Sequence, residues 1–484
     1  VQAALPRVRL RRPGRQDQGP QPASRRRPIR RRPAGPGGQL SQTLEQLRAG
    51  ELAGASRLAL RAGLTEFPRE IFELADTLEI LDLSGNALSA LPADLPRLHR
   101  LRVLFCSDNP FTELPAVLGS CEQLEMVGFK SCRIEQVPAA ALPPRLRWLI
   151  LTDNRIEQLP PEIGRCSRLQ KLALAGNRLQ ALPAEMAACQ SLELLRISAN
   201  RLTELPVWLH ELPRLTWLAH AGNPCCLEQE QAALAQSPIA AIAWQDLQLQ
   251  QVLGAGASGV IHLAEQRQAD SARPVAVKLF KGEMTSDGLP ESEMAACLAG
   301  GDHPQLIPLL GRIAGHPRAG QGLVMALVGP EFRSLAGPPS LASCTRDIYP
   351  SNSRWSLGTA LELATAMAST LAHLHGRGVL HGDFYGHNIL HDGKGRALLG
   401  DFGAATLLGG LPAHQARALQ QLEMRAFGCL LEELIERIEP AADDEPCLAR
   451  LAALRDACLA PLPARRPDAK ALLAALACLR PATR

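Results

Sequence analysis

Aromatic residues are scarce, at 4% of the 484-residue chain, with two Tyr in all. Rings that recur at equivalent places therefore call for an explanation. The thirteen Cys are odd in number and include no C-x-x-C pair. That excludes a disulfide framework or a zinc site as the organising principle and favours a reducing cytosol. The adjacent Cys225 and Cys226 read as apolar filler at the end of a stack, ahead of a strained redox pair. No apolar run approaches the ~18–20 residues that span a bilayer, and the start has no apolar signal core, so a cytoplasmic protein without membrane contact is expected. Hydrophobic residues at 46% and charged ones at 21% exclude a wholly disordered chain.

The net charge of +4 conceals an asymmetry. Residues 1–40 carry eleven Arg and one Asp, a local +10, which leaves −6 on the remainder. Nucleic-acid binding is thereby demoted, because a binder would carry its positive charge on a folded face. This Arg/Pro-rich stretch has few large apolar groups to offset ordering costs of about 1–2 kcal/mol per residue and is expected to be disordered. A solvated extension is read ahead of an anion-binding arm or a transit peptide. The chain opens on Val, so whether 1–40 belong to the native protein stays open. The length suggests two to four domains.

From residue 41 a repeat dominates. Leu78, Leu101, Leu124, Leu146, Leu169, Leu192 and Leu215 recur at 23-residue spacing with a single 22, each opening a phrase such as LQKLALAGNRLQALP. The L-x-x-L-x-L part predicts a short strand, and the Asn eight residues on (Asn86, Asn109, Asn154, Asn177, Asn200, Asn223) can bond backbone in the turn, with Cys132 once in its place. A following L-P or V-P turns the chain on the convex side. Such leucine-rich repeats bury their leucines only by stacking, so TLEQLRAGEL and a short repeat near Leu58–Pro68 are expected to cap the open end. The concave face takes the positions two and four after each opening Leu. Phe105, Trp148 and Trp217 lie there, a set predicted to bind a protein partner or substrate, or else to pack on each other or on the second domain. His220 falls at a core position and reads as structural. After Pro224, CLEQEQAALAQSPIAAIAW predicts a capping helix plus connector over 227–245.

Chemistry-bearing motifs follow from Trp244. LGAGASGVIHLA sets Gly254, Gly256 and Gly259 in a turn between strand-like segments, where backbone N–H groups can approach phosphates. Val260 continues on a strand instead of opening a helix, which argues against a dinucleotide fold, and PVAVKLF places Lys278 on the next strand. ESEMAACLAG offers Glu293, with Glu291 as fallback, to pair with that lysine. GLVMALVG resembles a strand and hinge that carry adenine, with Met325 at its back and the backbone of Ala326 to Val328 offering donors and acceptors. HGDFYGHN and GDFG set Asp383 and Asn388 five residues apart with Asp401 thirteen further on, three separate oxygen functions in fixed order.

Together these segments resemble bacterial leucine-rich-repeat serine/threonine protein kinases, over nearly everything from residue 41. The resemblance implies a multidomain chain. After the disordered basic tail come a leucine-rich repeat α/β solenoid (41–226) and, beyond the connector, a bilobal α+β protein kinase-like domain (246–484). It also implies ATP bound through Gly254, Gly256, Gly259, Val260, Lys278, Ala326 and Val328, catalysis through Asp383, Lys278 and Glu293, and Mg2+ on Asn388 and Asp401.

Three departures qualify the likeness. His381-Gly382 stands where most protein kinases have His-Arg, so control by activation-loop phosphorylation is not expected, and H-G-D also resembles aminoglycoside- and choline-type kinases. LEMRAFGCLLEELI resembles the helix that anchors the catalytic loop, with Glu423 for the usual Asp. No A-P-E follows Asp401, and Thr406 is the sole hydroxyl residue before Glu423, so the peptide platform is reduced and Arg466 needs another partner. An active protein kinase is therefore read first, with a pseudokinase scaffold and a small-molecule kinase as alternatives. Substrate choice falls to the repeat array, and Arg346 or Asp347 in the loop before the long helix could touch substrate.

Overall fold

The computed structural model describes residues 42–479 apart from 237–238, 257, 269–270, 282–283, 286 and 318–320. The expected disorder of 1–40 lies outside the described residues. The Thr43/Gln46 capping box starts helix α1 (Leu44–Arg48), and the Gln42 side chain pairs with Arg57 and Ala59 backbone at the edge of the first strand. That strand, β1 (Arg57–Ala59), opens a parallel sheet continued by β2 (Ile80–Asp82), β3 (Val103–Phe105), β4 (Met126–Gly128), β5 (Trp148–Ile150), β6 (Lys171–Ala173), β7 (Leu194–Arg196) and β8 (Trp217–Ala219). Equivalent residues pair across each step, as at Leu149 with Leu172, so the sequence period is the sheet register.

Two devices hold the stack. Each repeat leucine, such as Leu81, Leu149 or Leu195, is buried, and burying one such side chain stabilises by about 1.5–3 kcal/mol. The asparagines form a spine: the Asn154 amide accepts from Ile134 N–H at 3.0 Å and donates to the Phe129 and Leu151 carbonyls. Cys132 fills its place in the spine with long sulfur contacts of 3.5 and 3.6 Å. On the convex side Pro115, Pro138, Pro160, Pro183 and Pro206 each precede a 3-10 turn, since the ring presets the backbone for the bend.

Helix α2 (Pro224–Gln236) closes the far end, starting three residues before the predicted 227. The expected plain connector is partly a strand: β9 (Ala241–Ala243) pairs in parallel with a strand of the second sheet and buries Ile242. That sheet contains β10 (Leu247–Ala255), β11 (Gly259–Gln268), β12 (Ser271–Phe280), β13 (Leu309–Ala314) and β14 (Gly322–Ala326), ordered β10-β11-β12-β14-β13-β9. Helix α3 (Pro290–Gly300) lies between β12 and β13 in the chain. The lower lobe has a small sheet of β15 (Arg333–Ser334), β17 (Ile389–His391) and β18 (Ala397–Leu399), and a pair of β16 (Val379–Leu380) with β19 (Thr406–Leu407). Around them pack α4 (Leu357–Gly376), α5 (Ala413–Ile435), α6 (Glu445–Cys458) and α7 (Ala469–Ala477).

The two halves share their cores. Leu380, Leu408, Leu419 and Leu422 of the second half join the array's leucine cluster, while Leu194 and Trp217 join the lower lobe's. All thirteen cysteines are free, Cys225 and Cys226 included. Among the described residues no helix is long and apolar enough to cross a membrane.

Candidate functional site

The site lies where four segments of the second half meet. β10 and β11 form a hairpin whose Gly256 N–H donates to Gly259 O at 3.0 Å. Cβ atoms built on Gly254 and Gly256 would meet nothing within 4 Å, so one side of this loop is open, as a phosphate cradle requires. Gly259 is glycine for another reason: a Cβ there would lie 2.6 Å from the Leu279 carbonyl on β12. Val260 pairs with that Leu279, and Lys278 pairs with Ile261.

Lys278 reaches Glu293 on α3 and, at 3.2 Å, Asp401 Oδ1. Burial alone would lower the ammonium's pKa, but Asp401 and Glu293 outweigh it and hold it above its ordinary value. Glu293 is pushed up to about 7 by burial, against the pull of Lys278. Asp401 is also disfavoured by burial, yet Lys278 holds it below the usual carboxylate range. The fallback residue Glu291 bonds Gln321 and stays out of this cluster.

The catalytic-type loop follows β16. Asn388 Nδ2 donates to Asp383 O at 2.9 Å and to Oδ2 at 2.8 Å, leaving Asn388 Oδ1 as the acceptor of that amide. Asp401 stands at φ 55°, and His381 Nε2 pairs with Gly400 O at 2.9 Å. Asn388 and Asp401 are oxygen donors of the kind Mg2+ takes, so the residues fit the ion. Beneath the loop, Glu423 of α5 accepts from Gly382 N–H at 2.6 Å and pairs with His375 Nε2 at 2.7 Å. Burial pushes Glu423 up, but His375, His381 and the Gly382 N–H together hold it below its ordinary value. At the hinge, Ala326 N–H is taken by Pro308 O at 2.9 Å, so only its carbonyl could serve adenine, while Val328 lies half-buried just past β14.

The segment after Asp401 is brief: β19 and five further residues lead into α5. Thr406 is buried beside His220, whose N–H lies 3.4 Å from its hydroxyl, so it is no accessible phosphorylation site. The array occupies the freed space. Arg466 finds its partners in carbonyls, including Pro213 of the array at 2.7 Å, and burial lowers its pKa to about 10. Glu230 of α2 accepts from Ser292 of α3 at 2.8 Å.

Trp217 requires a correction. It is 2% exposed and stacks on Tyr385 (4.1 Å between centroids, 7° between planes), with its indole N–H donating to Phe384 O at 3.1 Å. It packs on the chain's own Phe384 and Tyr385 and is not available to an outside partner. Phe105 and Trp148 stay half-buried on the concave face, Trp148 beneath the Lys171 ammonium at 4.2 Å. Arg346 and Asp347 are structural as well: Arg346 pairs with Glu432 and Glu433, and Asp347 with His387 at 2.7 Å.

Sequence reasoning missed Arg196. From β7 it donates to Asp383 Oδ1, to Gly382 O at 3.0 Å and to Asp287 Oδ1 at 2.8 Å. A lone arginine two residues after Leu194 was the available signal, but a strand cation ordinarily faces water.

Residues 247–425 match the protein tyrosine and serine/threonine kinase family, and residues 77–98 and 167–224 match leucine-rich repeat families. The chain thus carries a leucine-rich repeat solenoid followed by a protein kinase-like domain. It is 26% identical over 214 residues to the serine/threonine-protein kinase PrkC of Bacillus subtilis, covering 39% of this chain and 30% of PrkC. It is 30% identical over 126 residues to human leucine-rich repeat and calponin homology domain-containing protein 1 (25% of this chain, 17% of that one). A match of 31% over 122 residues is to a probable inactive serine/threonine-protein kinase, roco10, of Dictyostelium discoideum (23% and 4%). Among solved structures, a leucine-rich repeat protein of Leptospira interrogans aligns with TM-score 0.31 at 27% identity, over 36% of this chain and 51% of that one. The chain spans less than a third of the length of these curated relatives.

Proposed function

We propose that the chain is an ATP-dependent protein kinase that transfers the γ-phosphoryl group to a serine or threonine hydroxyl. One observation carries this reading: Lys278 bonds both Glu293 and Asp401, Asn388 bonds Asp383, and Gly400 N–H, next to Asp401, donates to Asn388 O at 3.0 Å, so a charged triad and a polar pair adjoin beside an open glycine loop. Bound Mg2+ would neutralise charge on the phosphates, held by Asn388 and Asp401. Lys278 binds and orients the phosphate chain, Glu293 keeps the lysine in place, and Asp383 accepts the hydroxyl proton. Turnover of about 1–100 s⁻¹ corresponds to a barrier of roughly 15–17 kcal/mol, reached by positioning and electrostatics.

A second reading, phosphorylation of a small molecule, is favoured by the array covering the front of the catalytic loop where a peptide would lie. Incubation with labelled ATP and Mg2+ separates the two, by whether label enters protein or a small metabolite. Asp401→Ala is the blank, and wild type indistinguishable from it would leave a nucleotide-binding scaffold. Asp383→Asn and Lys278→Met are each expected to cut transfer by roughly 10³-fold with the fold retained by circular dichroism.

A further inference from the structure

We propose that Arg196, a side chain of the repeat array, is a positioning residue for Asp383, which makes the array a permanent wall of the phosphoryl-transfer site. This rests on the kinase reading above.

The carboxylate of Asp383 is gripped from two directions. Asn388 takes Oδ2 from within the same loop, and Arg196 takes Oδ1 from a strand 187 residues upstream. A carboxylate offers about four lone-pair sites, so these two contacts fix its plane and leave acceptor capacity for a substrate hydroxyl. Arg196 is itself immobilised: it is 4% exposed and its planar fork also holds Asp287 and the Gly382 carbonyl. Asp383 keeps 19% side-chain exposure, so the grip does not seal it off.

The glycine at 382 is independent support for a lasting arrangement. It adopts φ +70°, and a Cβ there would lie 2.7 Å from Leu218 O on β8 and 2.4 Å from Ala404 O. Only a residue without a side chain lets the strand and the loop come this close. The glycine of H-G-D thus meets three demands at once: the positive φ, the close Ala404 carbonyl and the approach of the array's Leu218 carbonyl. Withdrawing Arg196 would also mean unstacking Trp217 from Tyr385 and parting the shared leucine cores. A plug that must leave in each cycle would not be built into such a surface. A fixed guanidinium beside the reacting carboxylate needs no reorganisation when the proton moves.

The test uses the full chain, with label from ATP·Mg2+ passed to dephosphorylated casein and to the chain itself. Arg196→Ala is expected to lower kcat roughly 10- to 100-fold while the KM for ATP changes by less than about threefold, the signature of a misaimed group, not a lost binding contact. Arg196→Lys keeps the charge without the fork, so it should fold and recover part of kcat. Independently of activity, the Tm losses of Arg196→Ala and Asp383→Ala should be less than additive in the double variant. An unchanged or increased kcat in Arg196→Ala, a change confined to KM, or additive Tm losses would overturn the proposal, an increase marking Arg196 as an inhibitory latch. Wild type no better than Asp383→Asn would instead sink the kinase reading, and the positioning role with it.

Discussion

The two ends of the concave face are built from the same repeat and do opposite work. Trp148 on β5 and Trp217 on β8 hold equivalent positions, yet the Trp148 indole N–H is buried with no hydrogen-bond partner among the described residues, whereas that of Trp217 bonds Phe384 O. Charge divides likewise. Lys171 leans over a ring and is lowered by burial and by the nearby Arg196, while Arg196 is raised because Asp383 and Asp287 outweigh its burial. A repeat position thus sets where a side chain points, and the surface opposite decides what it does. Phe105 and Trp148 stay half-buried at the other end.

The comparison is broken most severely at the docked end. Trp217→Ala should cost about 3–5 kcal/mol of stability, since it empties a buried stack and orphans a carbonyl, and Trp148→Ala less than about 1 kcal/mol. Equal shifts in urea midpoint would erase the distinction. A smaller effect sharpens it by pH. Burial pushes His220, next to the docked strand, down to about 4, and the ring Nδ1 has no partner among the described residues. The unfolded chain binds a proton near 6.5 and the folded one resists until about 4. This group therefore withdraws stability as pH falls through that window, by about 3 kcal/mol at most, and contributes no slope above pH 7. His391 is lowered to about 4 by burial as well, so His220→Asn should flatten part of the slope and leave the rest. Urea melts between pH 4.5 and 7 measure this directly. The smallest effect belongs to the free end: Cys132→Asn completes the asparagine spine and should raise stability by about 1 kcal/mol, read as a Tm increase.

What could be read from sequence follows the same divide. The strands, the Asn spine, the pairing of Lys278 with Glu293 and the Glu423 anchor are written at short range or in fixed order, so periodicity and motif suffice. The docking of Arg196 and Trp217 depends on which face the second half turns to the first, and its partners lie 91–187 residues away. Nothing local encodes that choice. The β9 strand was hidden for a related reason, because AIA becomes a strand only when β13 offers an edge. Gly382 was visible as an anomaly, and the crowding of the Ala404 and Leu218 carbonyls around it was not.

The interlocked leucine clusters bear on how this protein can be dissected. Trimming the chain to 246–484 would strip the cover from Leu380, Leu408, Leu419 and Leu422 and bare the face of Tyr385. The severed half would then be a sticky fragment prone to self-association, not a minimal enzyme.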